Sequence, residues 1–260
     1  MKHLLLTFAL LISTSWGSMD FASADSRALN TTASGFDNAT FSILAWIYPT
    51  AYDFGTVFRL DENSNAVWLH MDASAADISL RYLRSGTRGQ WMAGVSSSPS
   101  MPITLNAWTC IAITYDRSST ANDPVMYIRR LGTDADLIPV TPDEVSTPVG
   151  TENTPNTGYG IGADNTGFHE NPFVGRIYGL QVWNTTRSEA EFETASLNPG
   201  SVTSGLILYV QDDGTDLSGG GRNATLTNVG TAANPPGIPA GSGTSSSGGG
   251  ILLMGAGRGR

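Results

Sequence analysis

Apolar positions along this chain recur mostly with the two-residue period of β-strands. The clearest run is residues 40–50, TFSILAWIYPT, where Phe41, Ile43, Ala45 and Ile47 fall on one face and Leu44, Trp46 and Tyr48 on the other. Neither face carries a charge, so the strand is expected to be covered on both sides. Pro49 ends it, because proline cannot donate to a sheet ladder. Residues 106–116, NAWTCIAITYD, have the same character, one Trp within a β-rich apolar run. The two read as central strands of a β-sandwich, with Trp46 and Trp108 in its core. Residues 173–184, FVGRIYGLQVWN, make a third apolar strand, and 205–211 a closing one. Strands are also expected around 18–22, 27–29, 55–60, 66–71, 78–83, 90–95 and 125–131. Residues 132–157, rich in Asp, Pro and Thr, read as a surface excursion with one short strand near 138–140. One helix is expected over 187–195, with Thr186 as N-cap and Glu189 completing a capping box, stopping before Pro199-Gly200. Strands spaced by turns every 8–12 residues, with a single short helix, predict an all-β sandwich or jelly roll.

Composition narrows the partners. A chain of 260 residues suits one large β domain with tails. Its formal net charge is −9, Lys2 is its one lysine, and no basic run occurs, which argues against nucleic acid or an anionic membrane. Cys110 stands alone, so neither an intrachain disulfide nor a cysteine-based zinc site is available. Within an apolar strand it reads as a small core residue.

The two ends differ from the middle. In residues 1–17, MKHLLLTFALLISTSWG, Lys2 and His3 precede a nine-residue, mostly apolar stretch. That stretch is too short to span a bilayer and fits a secretory signal cut at Ser18, with an uncleaved N-terminal strand as the competing reading. Residues 18–230 hold the sandwich. Residues 231–260 are rich in Pro, Gly and Ser, and 242–250 read as a flexible linker leading to Ile251–Met254 and a Gly/Arg tail. This segment is expected either to be a loose tail or to dock onto a partner in an assembly.

Five segments, in order, resemble the laminin-G-like, concanavalin A-like lectin/glucanase superfamily of jelly rolls. They are SMDFASADSRAL at 18–29, FSILAWIYP at 41–49, AWTCIAITYD at 107–116, FVGRIYGLQVWNTTRSEAEF at 173–192 and the Asp-x-Ser-Gly-rich DLSGGGRNATL at 216–226. The last reads physically as a glycine-rich turn in which an Asp or Asn side chain caps backbone amides. The family often carries an acidic pair after its Phe-x-Gly segment; Tyr178 and Gly179 stand there instead.

The resemblance implies lectins and glucanases alike, so catalysis has to be weighed. A retaining glycosidase needs two carboxylates about 5–5.5 Å apart. No strand here alternates acids; Asp20, Asp72 and Asp77 are isolated, and adjacent acids fall in turns. His3, His70 and His169 match no metal spacing and no nucleophile–base set. A non-catalytic module is therefore expected, acting outside a cell by recognition or adhesion on a glycan or protein surface. The alternatives are a virion or phage decoration, fibre or other surface-assembly protein on the same sandwich, and a degenerate glycosidase. Ligand-binding candidates are the aromatics expected outside the core: Trp68, Trp91, Tyr52 and Tyr82. Calcium, if bound, would use oxygen-rich loops, either Asp164, Asn165 and Glu170 or Asp212, Asp213 and Asp216.

Overall fold

A computed structural model of the chain describes residues 17–23, 25–36, 38–60, 67–72, 76–151, 158–163 and 171–238. The Trp46 run forms β3 (Thr40–Pro49), at the centre of the first sheet. On one flank it pairs β8 (Thr109–Asp116), which leads out to β9 (Val125–Arg130) and β10 (Ile138–Val140). On the other it pairs β13 (Gly175–Trp183), whose far edge is shared by β1 (Ser18–Phe21) and β14 (Leu206–Val210), with β16 (Gly230–Ala232) beyond β1. The second sheet runs β11 (Asp143–Ser146), β7 (Gly89–Ala93), β6 (Ile78–Tyr82), β5 (Val67–Met71), β4 (Thr56–Leu60), β12 (Tyr159–Ile161), β2 (Arg27–Asn30), β15 (Thr225–Thr227). All the described pairings are antiparallel.

The two sheets pack face to face. From β3, Phe41, Ile43, Ala45 and Ile47 enter the shared core, where they meet Val67, Leu69 and Met71 of β5 and Ile78, Leu80 and Tyr82 of β6. The opposite face of β3 is also covered, as its uncharged pattern required. Leu44 and Trp46 join Trp108, Cys110, Trp183 and Phe192 in a second apolar layer behind the first sheet. Its cover includes α1 (Glu189–Leu197), and the Trp46 indole donates to the Ser196 carbonyl at 2.9 Å. Trp46, Trp108 and Trp183 are thus all buried, and burial pushes the Cys110 thiol pKa well above its ordinary value.

Three features depart from the pattern-based expectation. The helix begins two residues late. Ser188 is its N-cap, accepting from the Glu191 amide, while the Glu191 carboxylate accepts from the Ser188 amide at 2.9 Å. Thr186 cannot fill that role because the next residue, Arg187, is tied down before the helix starts. Its amide donates to Thr114 Oγ1 at 3.2 Å and its buried guanidinium to Ser204 O.

The excursion at 132–157 supplies two strands, not one. β10 extends the first sheet and β11 the second, so this segment crosses between the sheets along one side of the sandwich. On the other side β15 and β16 make the same crossing, turning at Asn228 with φ 51°. The sandwich therefore continues past residue 230: Thr231 pairs Met19, and Ile238 is buried in the layer behind the first sheet. Residues 1–16 and 239–260, including the signal-like stretch and the apolar Ile251–Met254 hook, lie outside the described residues.

Candidate functional site

Among the described residues, no second apolar layer lies behind the second sheet as one lies behind the first. Alternation sends Val67, Leu69 and Met71 of β5 into the core, so Trp68 and His70 face away from it. Register then aligns a row across the sheet on that outward face. Thr225 stands opposite Leu29, Leu29 opposite Gly160, Gly160 opposite Arg59, Arg59 opposite Trp68, Trp68 opposite Arg81, Arg81 opposite Gln90, and Gln90 opposite Ser146. Directly opposed side chains on one face are near neighbours, so these positions form one continuous row.

At the middle of the row lies an arginine–aromatic cluster. The Arg59 guanidinium carbon sits 4.9 Å from the Trp68 ring and that of Arg81 5.3 Å from it, both within cation–π range. Phe54, from the β3–β4 connection, folds over the same face. Its ring meets Trp68 edge-on at 5.2 Å and lies 4.2 Å from His70, and Arg81 is 4.9 Å from it. The Trp68 indole donates to Thr56 Oγ1 at 3.0 Å, which fixes the ring. Beneath Phe54, His70 is fully buried, and this burial, aided by the positive Arg81, lowers its pKa to about 3; the imidazole is neutral at ordinary pH. Arg59, Trp68, Arg81, Leu83 and Arg88 line a hollow of about 140 Å³.

Further along the same face, at the β2–β15 edge, the lining turns to hydroxyls and amides. Ala28 and Leu226 point to the core side, leaving Arg27, Leu29, Thr225 and Thr227 outward. With Asn30, Thr31, Thr32 and Asn223 they bound an open trough of about 410 Å³. Gly160, between Leu29 and Arg59 in the row, presents no side chain and is itself buried. The face combines an aromatic platform, fixed cations and uncharged hydrogen bonders, the mixture that orients a polar ligand with some apolar surface.

The four aromatic candidates separate. Trp68 is half-buried on the outward face. Tyr52 is 43% exposed, in the loop that also carries Phe54, and its hydroxyl donates to Ile103 O at 2.9 Å. Trp91 and Tyr82 are buried core residues, contrary to the expectation that they would be exposed. Both share the inward parity of Leu80 and Ile78. Trp91 packs 5.2 Å from Tyr115 over Gly89, where a Cβ would stand only 2.3 Å from its ring. Its indole is satisfied by Asp123 Oδ1 at 2.9 Å.

The acids at 212–216 do not converge. Asp212 accepts from the Gly17 amide at 2.7 Å and Asp213 from the Thr215 amide at 2.8 Å. Asp216 accepts from the amides of Tyr209, Ser218 and Arg222. Its oxygens are taken up in capping the glycine-rich turn. Among the described residues no three His, Cys, Asp or Glu side chains are grouped to hold a metal, and Asp164, Asn165 and Glu170 lie outside them. Asp77 is buried and caps a turn through the Ser96 amide (3.0 Å) and hydroxyl (2.6 Å). Phe54, His70, Arg59, Arg81 and Arg88 were not singled out from sequence as ligand contacts. Alternation could place several of them outward, but which strands adjoin is not written in one sequence.

Residues 23–192, more than half of the chain, match the laminin-G-type model of the concanavalin A-like lectin/glucanases superfamily. The chain belongs to that superfamily. Its sandwich is similar to solved structures across it. A Bacteroides ovatus protein whose carbohydrate binding is itself inferred shares 16% identity at a TM-score of 0.54, over 84% of this chain and 60% of its own length. The heptameric pentraxin of Limulus polyphemus shares 13% at 0.49, over 71% and 83% of the two chains. The enzymatically active domain of bacteriophage CBA120 tailspike protein 2 shares 16% at 0.49, over 74% and 29%. At such identities the likeness is one of fold, and the chain spans three-fifths of the Bacteroides protein. A comparison with curated proteins yields no match. Among the described residues no helix is long and apolar enough to cross a membrane.

Proposed function

We propose that this superfamily member is a non-catalytic recognition module that works outside a cell and binds glycans along the outward face of its second sheet. The observation that carries this reading is the row Thr225–Leu29–Gly160–Arg59–Trp68–Arg81–Gln90. It places an aromatic ring on the same sheet face, and in the same row, as a trough of hydroxyls and amides. A sugar ring offers an apolar face for Trp68 and a hydroxyl rim for Asn30, Asn223 and the threonines. The fold-level likeness to a Bacteroides protein of inferred carbohydrate binding supports the same reading. Two of the three isolated acids serve elsewhere, which supports the non-catalytic reading: Asp77 is buried against Ser96, and Asp20 stands opposite Arg176 in the first sheet.

The test is saturable binding of the full chain to oligosaccharides. Aromatic anchors at the centre of an interface cost 2 kcal/mol or more when truncated. Trp68→Ala should therefore weaken binding by roughly thirtyfold or more while leaving the fold intact. Binding that survives Trp68→Ala unchanged would move the site elsewhere.

A further inference from the structure

We infer that the ligand is an acidic saccharide, one whose sugar carries a carboxylate or sulfate seated on Arg81 and Arg88 beside Trp68. The inference deepens the glycan reading above and rests on it. It starts from charge. The chain carries a formal net charge of −9, yet its outward sheet face gathers Arg59, Arg81 and Arg88 around one hollow.

Three other arginines are matched to acids. Arg129 meets Glu193 at 2.6 Å, Arg130 meets Asp134 at 2.9 Å, and Arg187 meets Glu191 at 2.7 Å. Arg81 has no such partner among the described residues. It lies over two rings, its Nε–H is buried without an acceptor, and Asp72 acts on it only through space. Burial and the like charge of Arg88 lower its pKa to about 10, so the guanidinium remains charged at neutral pH while its charged form is disfavoured. A guanidinium fork presents parallel N–H donors at the spacing of two oxyanion oxygens, which a neutral hydroxyl cannot match.

Size points the same way. The hollow is about 140 Å³, well below the roughly 300–1,000 Å³ of sites that engulf a small ligand. It takes one substituent group while the rest of the ligand lies across the face. The hydroxyl-lined trough along the same row is where the remaining sugar units would run. Stacking of guanidinium on indole, by itself, would merely cover Trp68, and the experiment separates that role from ligand capture.

Full-length protein is presented with an array of neutral, uronic-acid and sulfated oligosaccharides, and the bound members are titrated in solution. Binders should be acidic, and methyl esterification of a bound uronic acid should weaken it about tenfold or more, the loss of at least one charge-assisted hydrogen bond. Arg81→Gln should cause a comparable loss, and raising the salt should weaken wild-type binding through the exposed Arg88. Arg88→Gln, at an exposed position, gives a second variant should Arg81→Gln melt early. Tight binding of neutral members, indifferent to both substitutions, would overturn the acidic class while leaving the module reading intact, provided Trp68→Ala abolishes it. Absence of binding to every saccharide would overturn both readings.

Discussion

Replacing Asp216 with Ala removes a carboxylate, 7% exposed, that organises the whole 216–226 turn. Its Oδ1 accepts from the Tyr209 amide at 3.1 Å and the Ser218 amide at 2.9 Å, and its Oδ2 from the Arg222 amide at 2.9 Å. The Asp216 amide in turn donates to Asn223 Oδ1 at 2.9 Å, so strand β14, the glycine turn and the approach to β15 share one anchor. The Tyr209 amide is buried and has no route to water after truncation, a penalty of about 1–3 kcal/mol. The other two amides are partly exposed and should lose about 1 kcal/mol each. Asp216→Ala should thus destabilise the protein by about 3–5 kcal/mol, or roughly 6–20 °C in Tm for a domain of this size. Asp216→Asn, which keeps one acceptor oxygen, should lose about half of that. Thermal melts of the three proteins are to be run with and without a chelator. The differences should persist in chelator, because the carboxylate holds amides. A variant within about 2 °C of wild type would refute the reasoning, and a difference that disappears on chelation would show that a cation was the true partner.

Two further outcomes follow from local geometry. Ser188→Ala should cost about 1 kcal/mol by denaturant unfolding, whereas Thr186→Ala should stay within about 0.5 kcal/mol; the reverse order would return the helix start to Thr186. His70 is neutral in the folded protein down to about pH 3 but takes a proton near 6.5 when unfolded, so stability should fall as pH falls through that window. His70 should contribute about 1.4 kcal/mol per pH unit to that loss, and His70→Gln should remove the component; parallel pH profiles for the two proteins would contradict it.

How far the sequence alone reaches depends on what each residue answers to. The core strands were legible because burial on both faces leaves an uncharged run, as in 40–50, and those residues indeed lie in two apolar layers. Asp216 as a cap was legible from the glycine-rich turn that surrounds it. Trp68 was legible as an outward residue because VWLHM alternates, with Val67, Leu69 and Met71 inward. Trp91 was not, because a turn-flanked Gly89-Gln90-Trp91 has parity that only its pairing with Leu80 settles. The hollow itself was invisible. Arg59, Trp68 and Arg81 become neighbours through two hairpin registers, and Phe54 reaches them from a loop. Edge strands β11, β15 and β16 were missed for a related reason. They are three or four residues long, polar and exposed on at least one side, and pairing rather than composition makes them strands.

The account's central claim is that ligand meets the outward face of the second sheet. The chain has six tryptophans, each with one indole N–H to observe by NMR. Of these, Trp46, Trp91 and Trp183 are fully buried and Trp108 nearly so, while Trp68 lines the hollow. Titrating a bound oligosaccharide into labelled protein should shift the Trp68 indole and the backbone amides of Asn30, Arg81 and Thr225, leaving the Trp46 and Trp183 indoles in place. Shifts confined to residues of the first sheet or its helix, with Trp68 unmoved, would contradict the account.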